Sequence, residues 1–205
     1  SMADTLNRAV TFRLYPTARQ AITLDRLLES QRLLYNAALE ERIGRWNWNR
    51  ATVSKYDQFK GLTDAGSELP SLVEFGGRVH RGTLSRLDGA FVGFFRRVKA
   101  GQVPGFPRFK ARQRWDSVMY PDSQGWKVYV PEGRSGTYGR LRLAGVGHVQ
   151  MKLHRDMGDA LPCKLVVRRR GRRWEATVFY KNVAPRTASE PSGVAAGVDR
   201  GITVL

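Results

Sequence analysis

Residues 104–115 read PGFPRFKARQRW, and the rest of the chain is organised around this basic stretch. It contains two prolines, a glycine, two phenylalanines and four cations, and it has no acidic residue. Proline fixes φ and disfavours a helical conformation in the residue before it, so we expect an extended segment, named here the basic strap. Its cations are Arg108, Lys110, Arg112 and Arg114.

The charge around the strap is one-sided. Seven cations and no carboxylate lie between Asp88 and Asp116. Like charges at this density repel one another in a folded chain unless a polyanion neutralises them. A charge run is often only a solvated loop. Here, however, Phe106 and Phe109 alternate with the cations and can anchor the strap or stack on a base, which favours a nucleic-acid strand along it.

Composition points to the same class of partner. The chain has 205 residues and a formal net charge of +17, which puts nucleic acid first and an anionic membrane surface second. No apolar run reaches membrane-spanning length and no signal peptide precedes the first strand, so we expect a cytoplasmic, nucleoid-associated protein. The single cysteine, Cys163, excludes an intrachain disulfide and a cysteine-based zinc site within this sequence, and the three histidines lack ligand spacing.

Hydrophobic periodicity divides the chain into a helical part and a strand-rich part. Before the strap, this periodicity predicts a strand over 8–15 and a helix from a Thr17–Gln20 capping box to about Trp46. It then predicts a short helix over 52–62 and a longer helix from a Ser71–Glu74 capping box up to the strap. Five arginines lie off the apolar stripe of the first long helix, and periodicity alone does not distinguish a solvated face from a binding face.

After the strap the period changes to two, and glycine-rich turns separate short strands. The predicted strands are 115–120, 126–130, 140–143, 147–153, 163–169, 173–181 and 194–198. Several such strands suggest an open barrel or a compact sandwich. A hairpin tip at Gly171 carries five arginines, a concentration that suits contact with RNA or DNA. They are Arg168, Arg169, Arg170, Arg172 and Arg173.

Five motifs occur in an order that resembles the TnpB family, the RNA-guided nucleases encoded by insertion sequences and related to small type V CRISPR effectors. The motifs are FRLYPT (12–17), LLYNAAL (33–39), LDGAFVGFFRRVKAG (87–101), GFPRFKAR (105–112) and AAGVDRGI (195–202). Their spacing covers nearly the whole chain. The phenylalanine-rich helix followed by GFPRFK is the most specific of these signals.

The resemblance implies an α+β fold with three parts. We expect an oligonucleotide-binding-type wedge β-barrel over 1–16 and 104–190, interrupted by an α-helical recognition lobe over 17–103. Residues 191–205 are then a linker and the first strand of an RNase H-like RuvC domain. The family binds a guide RNA, recognises a short motif on double-stranded DNA and holds the RNA–DNA heteroduplex, with no role for a membrane.

Asp199 matches the first RuvC carboxylate of the family, which implies a role in catalysis and as a ligand of Mg²⁺ or Mn²⁺ in the complete nuclease. Such chemistry needs several carboxylates around two metal ions. The sequence ends at Leu205, before the later acidic motifs of the family, and Arg200 replaces an apolar residue of many relatives. We therefore expect the 205-residue chain not to cut DNA on its own.

Two groups of residues are assigned to nucleic acid on this basis. The strap and hairpin cations are expected to contact phosphates of guide RNA or heteroduplex, while sequence choice along the target belongs to base pairing. The DNA motif is expected to be read between the recognition helices and the wedge by Thr52, Lys55, Tyr56, Arg78 and Arg81. A nuclease-dead RNA-guided repressor and a general basic RNA-binding protein are the alternatives.

Overall fold

The computed structural model describes residues 6–131, 138–183 and 202–204. They form a mixed α+β fold in which helices pack on one antiparallel sheet. The helices are α1 (Ala18–Asn49), α2 (Lys55–Ala65), α3 (Pro70–Phe75) and α4 (Gly77–Lys99). The strands are β1 (Leu6–Tyr15), β2 (Ser117–Tyr120), β3 (Trp126–Tyr129), β4 (Tyr138–Leu143), β5 (Gly147–Lys152), β6 (Leu161–Arg170), β7 (Arg173–Val183) and β8 (Ile202–Val204).

The first strand is the centre of the sheet. The strand order is β2-β6-β7-β1-β5-β4-β3, and β8 pairs with β1 beside this path. Val10, Phe12 and Leu14 alternate along β1 and are almost fully buried, because successive side chains of a strand point to opposite faces. The sequence at the start of the chain thus supplies the strand to which β5 and β7 both pair.

Helix α1 begins at the predicted capping box. The Thr17 hydroxyl accepts the backbone N–H of Gln20, and the Gln20 side chain accepts the backbone N–H of Thr17. The helix runs to Asn49, three residues beyond the predicted end, and stops where Arg50 adopts a left-handed conformation. Its leucine stripe faces the core shared with α4 and the sheet.

Helix α4 lies against β2 at an unusually short distance. Gly82 is buried there, and a Cβ atom at this position would lie 1.8 Å from the carbonyl oxygen of Met119. Leu84 and Leu87, farther along the helix, are fully buried in the same core. Close backbone packing at Gly82 therefore sets how the basic strap, which follows α4, returns to the sheet.

Two predicted helix starts were placed incorrectly. The Ser71–Glu74 box is wrong, because α3 begins at Pro70 and Ser71 lies inside it. A proline suits the first helical position, where its missing N–H has no partner to lose. The second correction concerns α2, which begins at Lys55 rather than Thr52, with Ser54 and Asp57 forming a capping box that the sequence reading missed. The strand predicted over 194–198 lies outside the described residues.

No helix in the described part of the chain is both long enough and apolar enough to cross a lipid bilayer.

Candidate nucleic-acid interface

The middle of the basic strap is tied to helix α1. The backbone N–H of Lys110 donates to the side-chain oxygen of Asn36 over 2.7 Å, and the Asn36 amide donates back to the Lys110 carbonyl over 3.0 Å. Arg32 also donates to that carbonyl over 2.9 Å. The strap has little regular structure of its own, so these side chains supply partners for its backbone.

The beginning of the strap is tied to helix α4. The ring of Phe106 packs edge-on against Phe91 and Phe94, with ring centroids 5.6 and 5.2 Å apart. Arg97 donates to the carbonyl oxygen of Pro104 over 2.6 Å. Phe109 is 56% exposed, so Phe106 anchors the strap and Phe109 presents aromatic surface to solvent.

The four strap cations differ in how far the protein neutralises them. Arg108 and Arg114 are exposed and form no ion pair within the described residues. Lys110 holds its ammonium 5.6 Å from the centre of the Tyr35 ring. Arg112 pairs with Glu29 at 3.2 Å, a carboxylate whose pKa is lowered first by its hydrogen bond to Arg32.

The arginine-rich hairpin tip between β6 and β7 also contains paired and unpaired cations. Arg169 pairs with Asp25 at 2.7 Å and Arg170 pairs with Glu175 at 2.8 Å. Arg168 lies 3.8 Å from a carboxylate oxygen of Asp116. Arg172 and Arg173 are exposed, without an ion pair among residues 6–131, 138–183 and 202–204.

The strap and the hairpin tip are neighbours in space. β2 follows the strap directly and pairs with β6, with Ser117 opposite Arg168. The backbone N–H of Arg169 donates to the carbonyl of Asp116 over 2.8 Å. The structure therefore brings together two basic stretches that lie more than fifty residues apart in sequence.

Three of the five residues assigned to DNA-motif reading lie around one ring. The ammonium of Lys55 is 5.9 Å from the centre of the Phe59 ring, and the guanidinium of Arg81 is 5.2 Å from it. Tyr56 packs edge-on against the same ring and is 73% exposed. This group, named the Phe59 cluster, combines two cations with exposed aromatic surface.

The other two residues lie outside the Phe59 cluster. Thr52 is exposed on the segment before α2, where it lines an apolar cavity with Trp46 and Phe95. Arg78 is one turn before Arg81 on α4, but it pairs with Asp122 at 3.1 Å. The contact with Asp122 ties α4 to the turn between β2 and β3.

Several arginines of α1 are used inside the protein. Arg42 pairs with Asp88 at 3.2 Å and donates to Gln58, which links α1 to α4 and α2. Arg26 pairs with Glu74. Arg32 pairs with Glu29 at 2.7 Å. These three arginines therefore have carboxylate partners within the protein and contribute less free charge than the sequence suggests.

A basic cleft at the end of the strap was not foreseen from the sequence. It has a volume of about 400 Å³ and is named here the Trp115 cleft. Arg86, a half-buried residue of α4, donates there to the carbonyl and hydroxyl of Ser117 over 2.8 and 3.1 Å. The pKa of Arg86 is lowered, first by burial and then by the charge of Arg168. The one feature of the sequence that pointed to a half-buried Arg86 is its position directly before Leu87, a core residue of the same helix.

The predicted catalytic and metal-binding residue, Asp199, lies outside the described residues. Within the parts of the chain that are described, no three His, Cys, Asp or Glu side chains are grouped so that they could hold a metal ion.

Comparison with known proteins gives two matches. Residues 2–51 match a family model described as a helix-turn-helix domain, HTH_OrfB_IS605, although in this chain the described part of that range holds β1 and the single helix α1. The whole chain is 29% identical over 209 residues to a Streptomyces pristinaespiralis protein named "Putative RNA-guided DNA endonuclease". The chain covers 48% of that relative's length. Both matches agree with the resemblance of the sequence motifs to the TnpB family.

Proposed function

We propose that this chain is the nucleic-acid-binding portion of an RNA-guided DNA endonuclease of the TnpB type. In this proposal it binds a guide RNA, recognises a short motif on double-stranded DNA and holds the RNA–DNA heteroduplex. The observation that carries the proposal is that the basic strap and the arginine-rich hairpin tip are neighbours: Asp116, the residue directly after the strap, accepts the backbone N–H of Arg169.

The strap and hairpin supply the phosphate contacts. Four of their cations are exposed and unpaired within the described residues: Arg108, Arg114, Arg172 and Arg173. The remaining five are proposed as weaker contacts, since ion pairs or an aromatic ring already stabilise their charge: Lys110, Arg112, Arg168, Arg169 and Arg170. Phosphate contacts position a strand, whereas base pairing with the guide selects the target.

The Phe59 cluster is the proposed site of DNA-motif recognition. Arg81 carries a guanidinium suited to two hydrogen bonds with a guanine edge, and Lys55 and Tyr56 flank it. Thr52 and Arg78 are proposed as further contacts outside the cluster. The division into a wedge barrel (1–16 and 104–190), a helical recognition lobe (17–103) and the first RuvC strand (191–205) belongs to the same proposal. Cleavage of DNA in the complete nuclease, with Asp199 as a ligand of Mg²⁺ or Mn²⁺, is also part of this proposal.

Sequencing the RNA that co-purifies with the chain from cells carrying its own locus tests this function. We expect one RNA species that maps beside the gene and ends in a segment able to pair with DNA. A mixture of ribosomal and messenger RNA without such a species would contradict the proposal and favour a general basic RNA-binding protein. If that RNA is present and the full gene product binds matching DNA without cutting it in Mg²⁺, the result would favour a repressor over a nuclease.

A further inference from the structure

The Trp115 cleft lies where helices α1 and α4 meet the end of the basic strap. The residues that matter for its chemistry are Tyr35, Arg86, Lys110, Arg114, Trp115 and Asp116. Its volume of about 400 Å³ lies within the range of small-ligand sites, about 300–1,000 Å³. A group larger than a lone phosphate therefore fits.

The indole of Trp115 has a buried donor without a partner. The side chain is 7% exposed, and its Nε1–H makes no hydrogen bond within the described part of the chain. Buried polar groups are nearly always hydrogen-bonded, because water no longer satisfies them. By contrast, the indole N–H of Trp126 donates to the carbonyl of Asp122 over 2.7 Å. Because Trp115 lines the cleft, a ligand bound there is a candidate acceptor for this donor.

The charges around this donor favour an anion. Arg86 uses two of its nitrogens on Ser117, which leaves part of its five-donor guanidinium free. Arg114 has no ion pair among the described residues. The one carboxylate of the cleft, Asp116, lies 3.8 Å from Arg168 and is thus shared with a further cation. An anion in the cleft would relieve the repulsion between these guanidinium groups.

Aromatic surface lies beside the cations. The Tyr35 and Trp115 rings are 5.3 Å apart, and both line the cleft. Arg86 lies 5.8 Å from the centre of the Trp115 ring. Cations that hold a phosphate next to rings that contact a base are the pattern by which proteins hold single-stranded nucleic acid.

We propose that the Trp115 cleft binds one unstacked nucleotide of a nucleic-acid strand, with its phosphate at Arg86 and Arg114 and an oxygen of the nucleotide accepting the N–H of Trp115. This inference rests on the proposed function, in which such a strand follows the strap. It adds Arg86 and Trp115, which neither the sequence motifs nor the comparisons assign to a ligand. The nucleotide can belong to an RNA or a DNA strand.

Nuclear magnetic resonance of the tryptophan indole N–H groups tests the proposal directly. The chain has five tryptophans, and Trp115→Phe identifies the signal of Trp115 by its loss. Uridine 5′-monophosphate is expected to shift that signal downfield in a saturable way, whereas uridine or inorganic phosphate alone should bind at least tenfold more weakly. An unmoved Trp115 signal would overturn the proposal. Equal binding of inorganic phosphate and the nucleotide would overturn the assignment of a nucleotide.

Arg114→Gln and Arg96→Gln provide a pair of single-charge variants, one at the cleft and one away from it. Both side chains are exposed, but Arg96, on α4, does not line the cleft. Loss of one charge-assisted contact should weaken nucleotide binding roughly tenfold in Arg114→Gln and leave binding by Arg96→Gln unchanged. Identical titrations of the two variants and the unmodified chain would contradict the role of Arg114. Neither change removes a buried group, so both variants should remain folded.

Two comparisons complete the test. Uridine and 2′-deoxyuridine monophosphates differ only in the 2′-hydroxyl. Tighter binding of the uridine nucleotide would indicate an RNA strand, and tighter binding of the deoxyuridine nucleotide would indicate a DNA strand. Mononucleotide binding does not depend on a guide RNA. Failure of the co-purification experiment with an intact nucleotide titration would therefore contradict the proposed function alone, and the reverse result would contradict the cleft alone.

Discussion

The backbone of Gly82 on α4 approaches Met119 on β2 so closely that a Cβ atom would lie 1.8 Å from the Met119 carbonyl oxygen. Real Cβ atoms do not approach backbone oxygens at this distance, and a carbonyl within a paired strand cannot move away cheaply. The seating of α4 on the sheet therefore depends on glycine. The same seating places Arg86 beside Ser117 and the strap beside the hairpin tip.

Replacement of Gly82 by alanine should destabilise the protein. Overpacking typically costs about 1–3 kcal/mol, which exceeds the gain of about 1 kcal/mol that alanine gives inside a helix. Chemical denaturation measures the difference. Gly89→Ala is the matched control, because Gly89 lies on the same helix with no atom within 4 Å of the added methyl group. Control and test variants of equal stability would contradict the close packing.

Replacement of Asn36 by alanine should release the basic strap from α1. The variant loses two hydrogen bonds to the backbone of Lys110, and we expect a loss of about 1–2 kcal/mol in the free energy of unfolding. Limited trypsin digestion should cut within residues 108–114 several-fold faster. Asn47→Ala, at an exposed position of the same helix, should behave like the unmodified chain. Equal digestion rates would show that Asn36 does not hold the strap.

The buried His80 should make stability depend on pH. Its Nδ1–H donates to the carbonyl of Gly76 over 2.8 Å, and its Nε2 lies 3.0 Å from the Ser71 hydroxyl, which donates to the ring when His80 is neutral. Burial lowers the pKa of His80 in the folded state. The unfolded chain therefore binds the proton first, and the stabilisation is present above about pH 6.5 and is lost as the pH falls below it.

Unfolding measured at pH 7 and pH 5 checks this expectation. In His80→Asn the pH-dependent loss of stability should be smaller than in the unmodified chain, by at most about 2 kcal/mol, the limit for one proton between pH 6.5 and pH 5. Other groups titrate in the same range, so the informative quantity is the difference between the two proteins. An identical loss in both would show that His80 does not carry the effect.

Arg81 should affect motif choice more than overall affinity. If its guanidinium reads a base edge, Arg81→Gln should cost about 1–3 kcal/mol on the preferred DNA motif and little on others. Binding of the RNA-loaded protein to DNA with varied motifs measures this. Lys60→Gln, an exposed cation on α2, is the control. A uniform loss over all motifs would make Arg81 a phosphate contact instead.

Local signals in the sequence predicted most elements but not how they meet. The alternation of Val10, Phe12 and Leu14 and the Thr17 capping box correctly indicated β1 and the start of α1. The Ser71–Glu74 pattern misled, because Pro70 already begins the helix. Local patterns indicate whether a segment forms a helix or a strand. Strand order and the contact of Gly82 with β2 depend on tertiary packing instead.

The charges of the candidate interface were predicted only in total. Sequence reasoning grouped nine cations of the strap and hairpin. It did not show that Arg112, Arg169 and Arg170 pair with carboxylates, two of which lie on the distant helix α1. It also missed Arg86, because burial of that residue depends on Ser117 in β2. Ion pairs between distant segments leave no periodic trace in a sequence.

The salt dependence of RNA binding tests the central claim most directly. One variant replaces the four unpaired cations of the strap and hairpin with glutamine: Arg108, Arg114, Arg172 and Arg173. A control variant replaces four exposed cations elsewhere: Arg19, Arg45, Lys60 and Lys127. Both variants remove four positive charges and lower the formal net charge from +17 to +13.

Each lost phosphate contact reduces the slope of log K against log salt by about 0.7 for single-stranded nucleic acid, so the interface variant should lose about three. The control variant should keep nearly the full slope, because its cations belong to neither the strap nor the hairpin tip. Equal changes in the two variants would contradict the account, since binding would then follow total charge rather than the surface formed by the strap and the hairpin.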